Sequence, residues 1–321
     1  MTFRPREVLF SPSERCVLRC VHCDVSRRTS TLLSRKRALA FLAQAAKLGA
    51  VRVGFTGGEP FLVPGFMCAL SKEAVRLGLR FGRIMTSGAW YANVRALKRT
   101  LERLKASGYD GDICVSVDAF HRQDIKKVAG FIDAAVDIFA RGDVIQAAYV
   151  SGAKMPETRD KLKRLARILD AKLAGFGSPY GAIRNRQILI RLLRISLSVT
   201  GKARGLKNPW AGKWFKEDHC KGPGNALYVI SNGDVKPCCG YATDNPGLTI
   251  GNIYYDSAAD IFKKAGDNGF VRTVFGSGLS AIRRRLESSG VSFPGRTGDH
   301  CFFCDYLLNK VDRDALKRCL D

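Results

Sequence analysis

The stretch SERCVLRCVHCDVS, residues 13–26, puts Cys16, Cys20 and Cys23 into one short loop. Thiolates bind zinc and iron–sulfur centres, and a site built from cysteine ordinarily takes four of them. Three leave two possibilities. Either a fourth ligand comes from elsewhere, with the adjacent His22 completing a zinc set, or one metal position stays open. A second group lies far along the chain. CKGPGNALYVISNGDVKPC runs from Cys220 to Cys238 with Gly233 between, and HCFFC supplies Cys301 and Cys304. YVISNGDVKPC reads as a hairpin turning at Asn-Gly, which draws Cys220 and Cys238 together. With the later pair this makes a closed four-thiolate set, which on spacing alone suits a structural zinc about as well as an iron–sulfur cluster.

Four cysteines remain. Cys68, in an apolar helical stretch, and Cys114, on a strand, read as buried, inert thiols, and Cys319 reads as a surface thiol. Cys239 is different because it directly follows Cys238. Neighbours in an extended segment point to opposite sides, so if Cys238 faces a metal centre, Cys239 faces the core or a cavity.

Other chemistry-bearing residues gather where strands end. FTGGEPFL, 55–62, closes the second strand. Gly57 and Gly58 let backbone N–H groups approach a ligand without a Cβ in the way, and Glu59 adds an acceptor. MTSGAWY, 85–91, and VSVDAFH, 115–121, bring Ser87, Ser116, Asp118 and His121 to the same mouth, and TGKAR, 200–204, offers Gly201 and Arg204 to an adenosine or a carboxylate.

These positions require a parallel α/β frame. Apolar, β-rich segments at 6–10, 51–56, 81–86, 113–117, 144–150 and 188–199 alternate with helical patterns at 34–49, 65–79, 92–107, 124–141 and 157–173. Ser34 reads as an N-cap and Gly49 as a stop for the first helix. Such alternation predicts a partial (β/α)6 TIM-like barrel with function at the C-terminal ends of its strands. KNPWAGKWFKED, 207–218, breaks the pattern and leads to a smaller α+β region, so the expected domains are 1–205 and 206–321.

Composition narrows the classes. The start MTFRPREVLF has no apolar signal region, and the longest apolar run, 187–199, is too short for a bilayer and carries two arginines, so a cytoplasmic protein is expected. Eleven cysteines in that compartment are metal ligands or buried thiols rather than a disulfide framework. The 53 Lys+Arg against 29 Asp+Glu give a net charge of +24, a field that attracts nucleic acid, acidic peptides or phosphorylated molecules. No aromatic-plus-basic recognition signature accompanies the charge, which disfavours a nucleic-acid-binding zinc protein.

The C-x3-C-x2-C loop, the Gly57-Gly58-Glu59-Pro60 turn and the six-unit alternation over 6–205 together resemble the radical SAM superfamily. That resemblance implies a [4Fe–4S] cluster on Cys16, Cys20 and Cys23, with the fourth iron left to S-adenosylmethionine. It further implies cofactor contacts from Gly57, Gly58, Glu59, Ser87, Ser116, Asp118 and Arg204, and an electron donor such as flavodoxin or ferredoxin. The aromatic residue usual before the third cysteine is His22 here. The C-terminal pattern resembles the twitch or SPASM-like auxiliary domain, which implies one further [4Fe–4S] cluster on Cys220, Cys238, Cys301 and Cys304.

Adjacent Cys238-Cys239, SVDAFH, TGKAR and HCFFCDYLLN resemble one branch in particular, the radical SAM peptide epimerases. The implied reaction is L-to-D inversion of a residue in a ribosomally made peptide, with Cys239 donating a hydrogen atom. The acidic residue which that branch carries after its first auxiliary cysteine has no counterpart in GNAL, 224–227, where Asn225 is the polar residue. The alternatives are dehydrogenation or epimerisation of a sugar or alcohol, and another peptide modification such as crosslinking.

Overall fold

The computed structural model describes residues 3–23, 25, 29–152, 154–215 and 225–320. Its first part alternates β1 (Glu7–Phe10), α1 (Arg35–Lys47), β2 (Arg52–Phe55), α2 (Pro64–Arg76), β3 (Arg80–Thr86), α3 (Val94–Ala106), β4 (Ile113–Ser116), α4 (Ile125–Phe139), β5 (Ile145–Ser151) and α5 (Met155–Ile168). A ribbon of β6 (Lys172–Ala174) and β7 (Ala182–Arg184) precedes β8 (Leu189–Ser196). Then come β9 (Ala226–Val229), β10 (Asp234–Lys236) and β11 (Gly251–Asn252), followed by α6 (Ala258–Asp267), α7 (Gly269–Gly276), α8 (Leu279–Ser288), α9 (His300–Lys310) and α10 (Arg313–Arg318).

One sheet holds all the strands of the described residues, in the order β11-β10-β9-β1-β2-β3-β4-β5-β8-β7-β6. Strands β1 to β5 and β8 are mutually parallel, as six βα units demand. The period of two decides what each residue faces. In β1, Val8 and Phe10 are fully buried in the same core as Phe41 and Leu42 of α1, whereas Glu7 and Leu9 line the interior cavity. Leu9 sits in register with Gly54 of β2 on one side and Tyr228 of β9 on the other. A partial barrel thus keeps its lumen open for a ligand instead of filling it with side chains.

The predicted helix boundaries hold at α1. Ser34 accepts from the Arg37 N–H at 3.4 Å, and Gly49 takes a left-handed φ of 102° just beyond the end. They fail at α5, predicted to reach residue 173. Asp170 adopts φ 45°, and the Asn185 amide donates to the carbonyls of Leu169 and Asp170 at 3.2 Å each, so the helix stops and Lys172 starts a strand. The β6-β7 ribbon, with its Gly/Ser/Pro turn, was not foreseen. Nor does the C-terminal hairpin stand apart, since β9 pairs in parallel with β1 and extends the barrel sheet.

A second core gathers Phe215, Leu248, Phe270, Leu279, Phe303 and Leu307. Cys319, expected at the surface, belongs to it and is 4% exposed. The turn after α10 tucks the thiol inward, and Arg285 donates to the Cys319 carbonyl at 2.8 Å. No described helix is long and apolar enough to cross a membrane.

Candidate functional site

The end of β1 runs into the cysteine loop, and the end of β2 clamps that loop. Gly58 N–H donates to the Ser13 carbonyl at 2.9 Å, and Glu59 N–H to the Arg15 carbonyl at 2.7 Å. A Cβ on Gly58 would collide with the Arg15 and Glu14 backbone, and Gly57 holds φ 116° against Ser11. The glycines therefore admit the loop backbone itself, and the Gly58 and Glu59 N–H groups serve the loop instead of a ligand. From the other side, Lys202 N–H donates to the Cys23 carbonyl at 2.9 Å, so the TGKAR turn pins the last cysteine.

Glu59 is fully buried. Its carboxylate accepts from the Thr86 hydroxyl (2.8 Å), the Ser87 hydroxyl (2.6 Å), the Ser87 N–H (2.9 Å) and the Phe61 N–H (3.3 Å). Burial pushes its pKa up, and the Ser87 and Thr86 bonds oppose that push. Glu59 ties the end of β3 to the end of β2, and Ser87 then reaches the cavity.

That cavity has a volume of about 1170 Å³. Cys16, Cys20, Cys23, Gly57, Gly58, Ser87, Ser116, Asp118 and His121 all line it, and so does Cys239. Glu59 stands behind the wall. Arg204 is also absent from the lining: its guanidinium pairs with Asp305 at 2.7 Å, across 101 positions of sequence.

Asp118 and His121 form a tight pair, His121 Nδ1 lying 2.8 Å from Asp118 Oδ1. The carboxylate also accepts from the N–H groups of Phe120, His121 and Val150. Burial pushes Asp118 up, but the His121 bond and charge and the Val150 N–H outweigh it and hold the pKa at about 2. The ring of His22 packs against Phe120 and His121, with centroids 5.0 and 4.6 Å away. Burial and the neighbouring His121 lower the His22 pKa to about 4, against the pull of Asp118. Lys161 was missed by sequence reasoning. It donates to the carbonyls of Asp118 and His121 and to Gln123 Oε1, and burial lowers its pKa to about 8. It sits on α5, about 40 positions from its partners, with no local motif to mark it.

Thr200 and His22 line the cavity, and their buried Oγ1 and Nδ1 atoms have no hydrogen-bond partner among the described residues. Unsatisfied polar groups in residues that line a cavity suit a polar ligand. With three partly exposed thiols on the same wall, the residues fit a cluster carrying a polar cofactor.

The second cysteine group meets elsewhere. A Cβ on Gly240 would lie 3.1 Å from Cys301 Sγ and 3.6 Å from Cys238 Sγ, so both sulfurs converge on that glycine. Tyr241 N–H donates to Cys301 Sγ at 3.3 Å, and Cys304 follows one turn later on α9. Cys220 lies outside the described residues. Thiols converging on a glycine, with a backbone donor to one sulfur, fit a metal cluster. Cys239 is exposed and on the cavity wall, whereas Cys238 is 8% exposed beside Cys301. Cys114 and Cys68 serve neither site: burial pushes Cys114 up to about 12 and raises Cys68 as well.

Residues 10–141 match the Radical SAM superfamily, and residues 220–272 match an iron-sulfur cluster-binding domain of the SPASM type. The chain carries a radical SAM domain followed by a SPASM domain. The radical SAM domain implies a [4Fe–4S] cluster that binds S-adenosylmethionine, and the SPASM domain implies auxiliary iron–sulfur binding. PqqA peptide cyclase of Methylorubrum populi is 26% identical over 308 residues, covering 81% of this chain and 72% of that protein. The solved structure of anSMEcpe with bound AdoMet matches with a TM-score of 0.55 at 14% identity, over 98% of both chains, and so shares the fold. Streptococcus suis SuiB, solved bound to S-adenosylmethionine, aligns at 15% identity and a TM-score of 0.42, over 79% of this chain and 65% of SuiB, just under two thirds of its length.

Proposed function

We propose that this radical SAM protein modifies a ribosomally made peptide, inverting one L-residue to its D-form with Cys239 as hydrogen-atom donor. The observation that carries this is the split between two adjacent cysteines: Cys238 converges with Cys301 on Gly240, while Cys239 lines the cavity that holds Cys16, Cys20 and Cys23. A peptide substrate is supported by the relatives at 25–26% identity, which carry the name PqqA peptide cyclase.

Cys16, Cys20 and Cys23 would hold the first cluster, and Cys220, Cys238, Cys301 and Cys304 the second, with the work divided near residue 205. With one electron from a ferredoxin- or flavodoxin-type reductant, the first cluster and its S-adenosylmethionine would supply a 5′-deoxyadenosyl radical able to take a hydrogen atom from carbon. Gly57, Gly58, Ser87, Ser116 and Asp118 shape the cavity wall for that cofactor, with Glu59 acting through Ser87. Arg204 acts through Asp305, docking the sixth barrel unit onto α9. Cys239 then gives its S–H hydrogen to the carbon radical from its own side of the cavity: the S–H bond breaks, a C–H bond forms, and a thiyl is left. One electron from a ferredoxin- or flavodoxin-type reductant and one proton from solvent restore the thiol.

The test is co-expression with a precursor peptide encoded beside the gene, followed by turnover in deuterated water. The native enzyme places one solvent deuterium on the inverted α-carbon. Cys239→Ser keeps both clusters and cofactor cleavage but makes no D-residue. If Cys239→Ser still yields deuterated product, the donor role fails. A product lighter by two hydrogens and free of deuterium points to crosslinking instead.

A further inference from the structure

Lys236 is a cation in an unusual place. It ends β10, two residues before Cys238, and is 2% exposed. Burying an ammonium is costly unless an opposite charge compensates it. Its hydrogen bonds go to neutral acceptors, the Asn245 carbonyl at 3.1 Å and the Thr249 hydroxyl at 2.8 Å. Among the described residues it makes no ion pair. The Asp234 carboxylate two positions earlier accepts from the amides of Asn232 and Asn252 at 3.0 and 2.9 Å.

The surroundings of Lys236 belong to the auxiliary cysteines. Asn245, whose carbonyl it contacts, donates its side-chain amide to Asp305 at 3.1 Å, and Asp305 directly follows Cys304. Asp305 also accepts from Asn309 and Arg204. One hydrogen-bonded chain thus runs from Lys236, just before Pro237-Cys238, to the residue after Cys304.

A cluster held by four thiolates is net negative, and becomes more so by one charge when reduced. A buried cation beside it stabilises the reduced form more than the oxidised one, because water does not screen the pair. We propose that Lys236 is a positioning residue of the auxiliary cluster, supplying the buried positive charge that balances the thiolates and raises the cluster's reduction potential. This rests on an iron–sulfur cluster at Cys238, Cys301 and Cys304, and is independent of whether the reaction is epimerisation.

The experiment uses the full chain, reconstituted anaerobically, with EPR-monitored potentiometry of the signal that S-adenosylmethionine leaves unchanged. Lys236→Gln keeps a donor for Asn245 and Thr249 but removes the charge. Lys236→Arg keeps the charge, and Thr249→Val removes one hydrogen bond only. The neutral variant shifts the reduction equilibrium at least tenfold towards the oxidised cluster, 59 mV for a one-electron couple. The Arg and Val variants stay within that margin. If Lys236→Gln leaves the auxiliary site unloaded, iron content reads the same requirement. The proposal then stands when Lys236→Arg holds about eight irons and the Gln variant about four. It is overturned by an unshifted potential in Lys236→Gln, or by equal damage in all three variants, which marks a packing role. Zinc in place of iron in the wild-type site would instead remove the cluster on which the proposal rests.

Discussion

Asp118 shows how a residue at the mouth of the barrel is committed before any ligand arrives. Its two oxygens meet the N–H groups of Phe120, His121 and Val150 and the ring of His121. These hold the carboxyl at about 2, against an ordinary 3.8, despite burial. A depressed folded-state pKa contributes stability above the unfolded value, which is lost as pH falls through the folded one. The shift corresponds to about 2 kcal/mol at neutral pH, falling to roughly half of that near pH 3. Urea unfolding of the wild type and Asp118→Asn from pH 6 to pH 3 measures this directly. The gap between the two is full at pH 6 and narrows below about pH 4. A gap that stays constant over this range means the ionised form of Asp118 is not what the fold favours.

Between elements, the decisive contact is backbone on backbone, where the turn after β2 receives the loop after β1. Gly58→Ala puts a Cβ into the carbonyl of Arg15, and neither side can retreat without moving the cysteines. The expected outcome is a folded protein with about four irons in place of about eight and no cleavage of S-adenosylmethionine. Full iron loading in Gly58→Ala would show that the loop tolerates displacement. This clamp explains which parts of the molecule sequence reasoning reached. Alternation of apolar runs located the six parallel strands and five helices, because period and length are local properties. Gly57-Gly58 was recognisable as a pair, but not that its neighbouring N–H groups serve the cysteine loop. Arg204 looked like a cofactor contact because TGKAR sits at a strand end, and its partner Asp305 lies 101 residues on. Asn185 ends α5 from 15 to 16 residues away, and Cys319 is buried by a second core whose members are scattered from 215 to 319. Partnerships across such separations leave no spacing to read.

At the scale of the whole molecule, one sheet sets the distance between the two cysteine sites. β9 lies against β1 in register, Ser11 N–H donates to the Val229 carbonyl at 2.8 Å, and the hairpin then delivers Cys238 and Cys239 beside the barrel mouth. Around this frame the charge is unevenly placed. The cavity mixes Arg52, Arg80 and Arg83 with Glu7, Asp110 and Asp112, so the excess of +24 must reside elsewhere. Much of it lies on outward faces: Arg95, Lys98, Arg99, Arg103 and Lys105 of α3 and Arg159, Lys163, Arg164 and Arg167 of α5 are all exposed. Exposed charges act at a distance set by salt, from about 30 Å at 0.01 M to about 8 Å at physiological ionic strength. If this field steers an acidic peptide, stopped-flow association slows by about tenfold or more across that range. Replacing Arg95, Arg99 and Arg103 together by Gln weakens the salt dependence while leaving thermal unfolding nearly unchanged, because exposed charges contribute little to stability. The dissociation rate changes less than the association rate, as long-range attraction acts on encounter. An association rate indifferent to salt would assign the +24 to surface character alone, with recognition left entirely to the cavity.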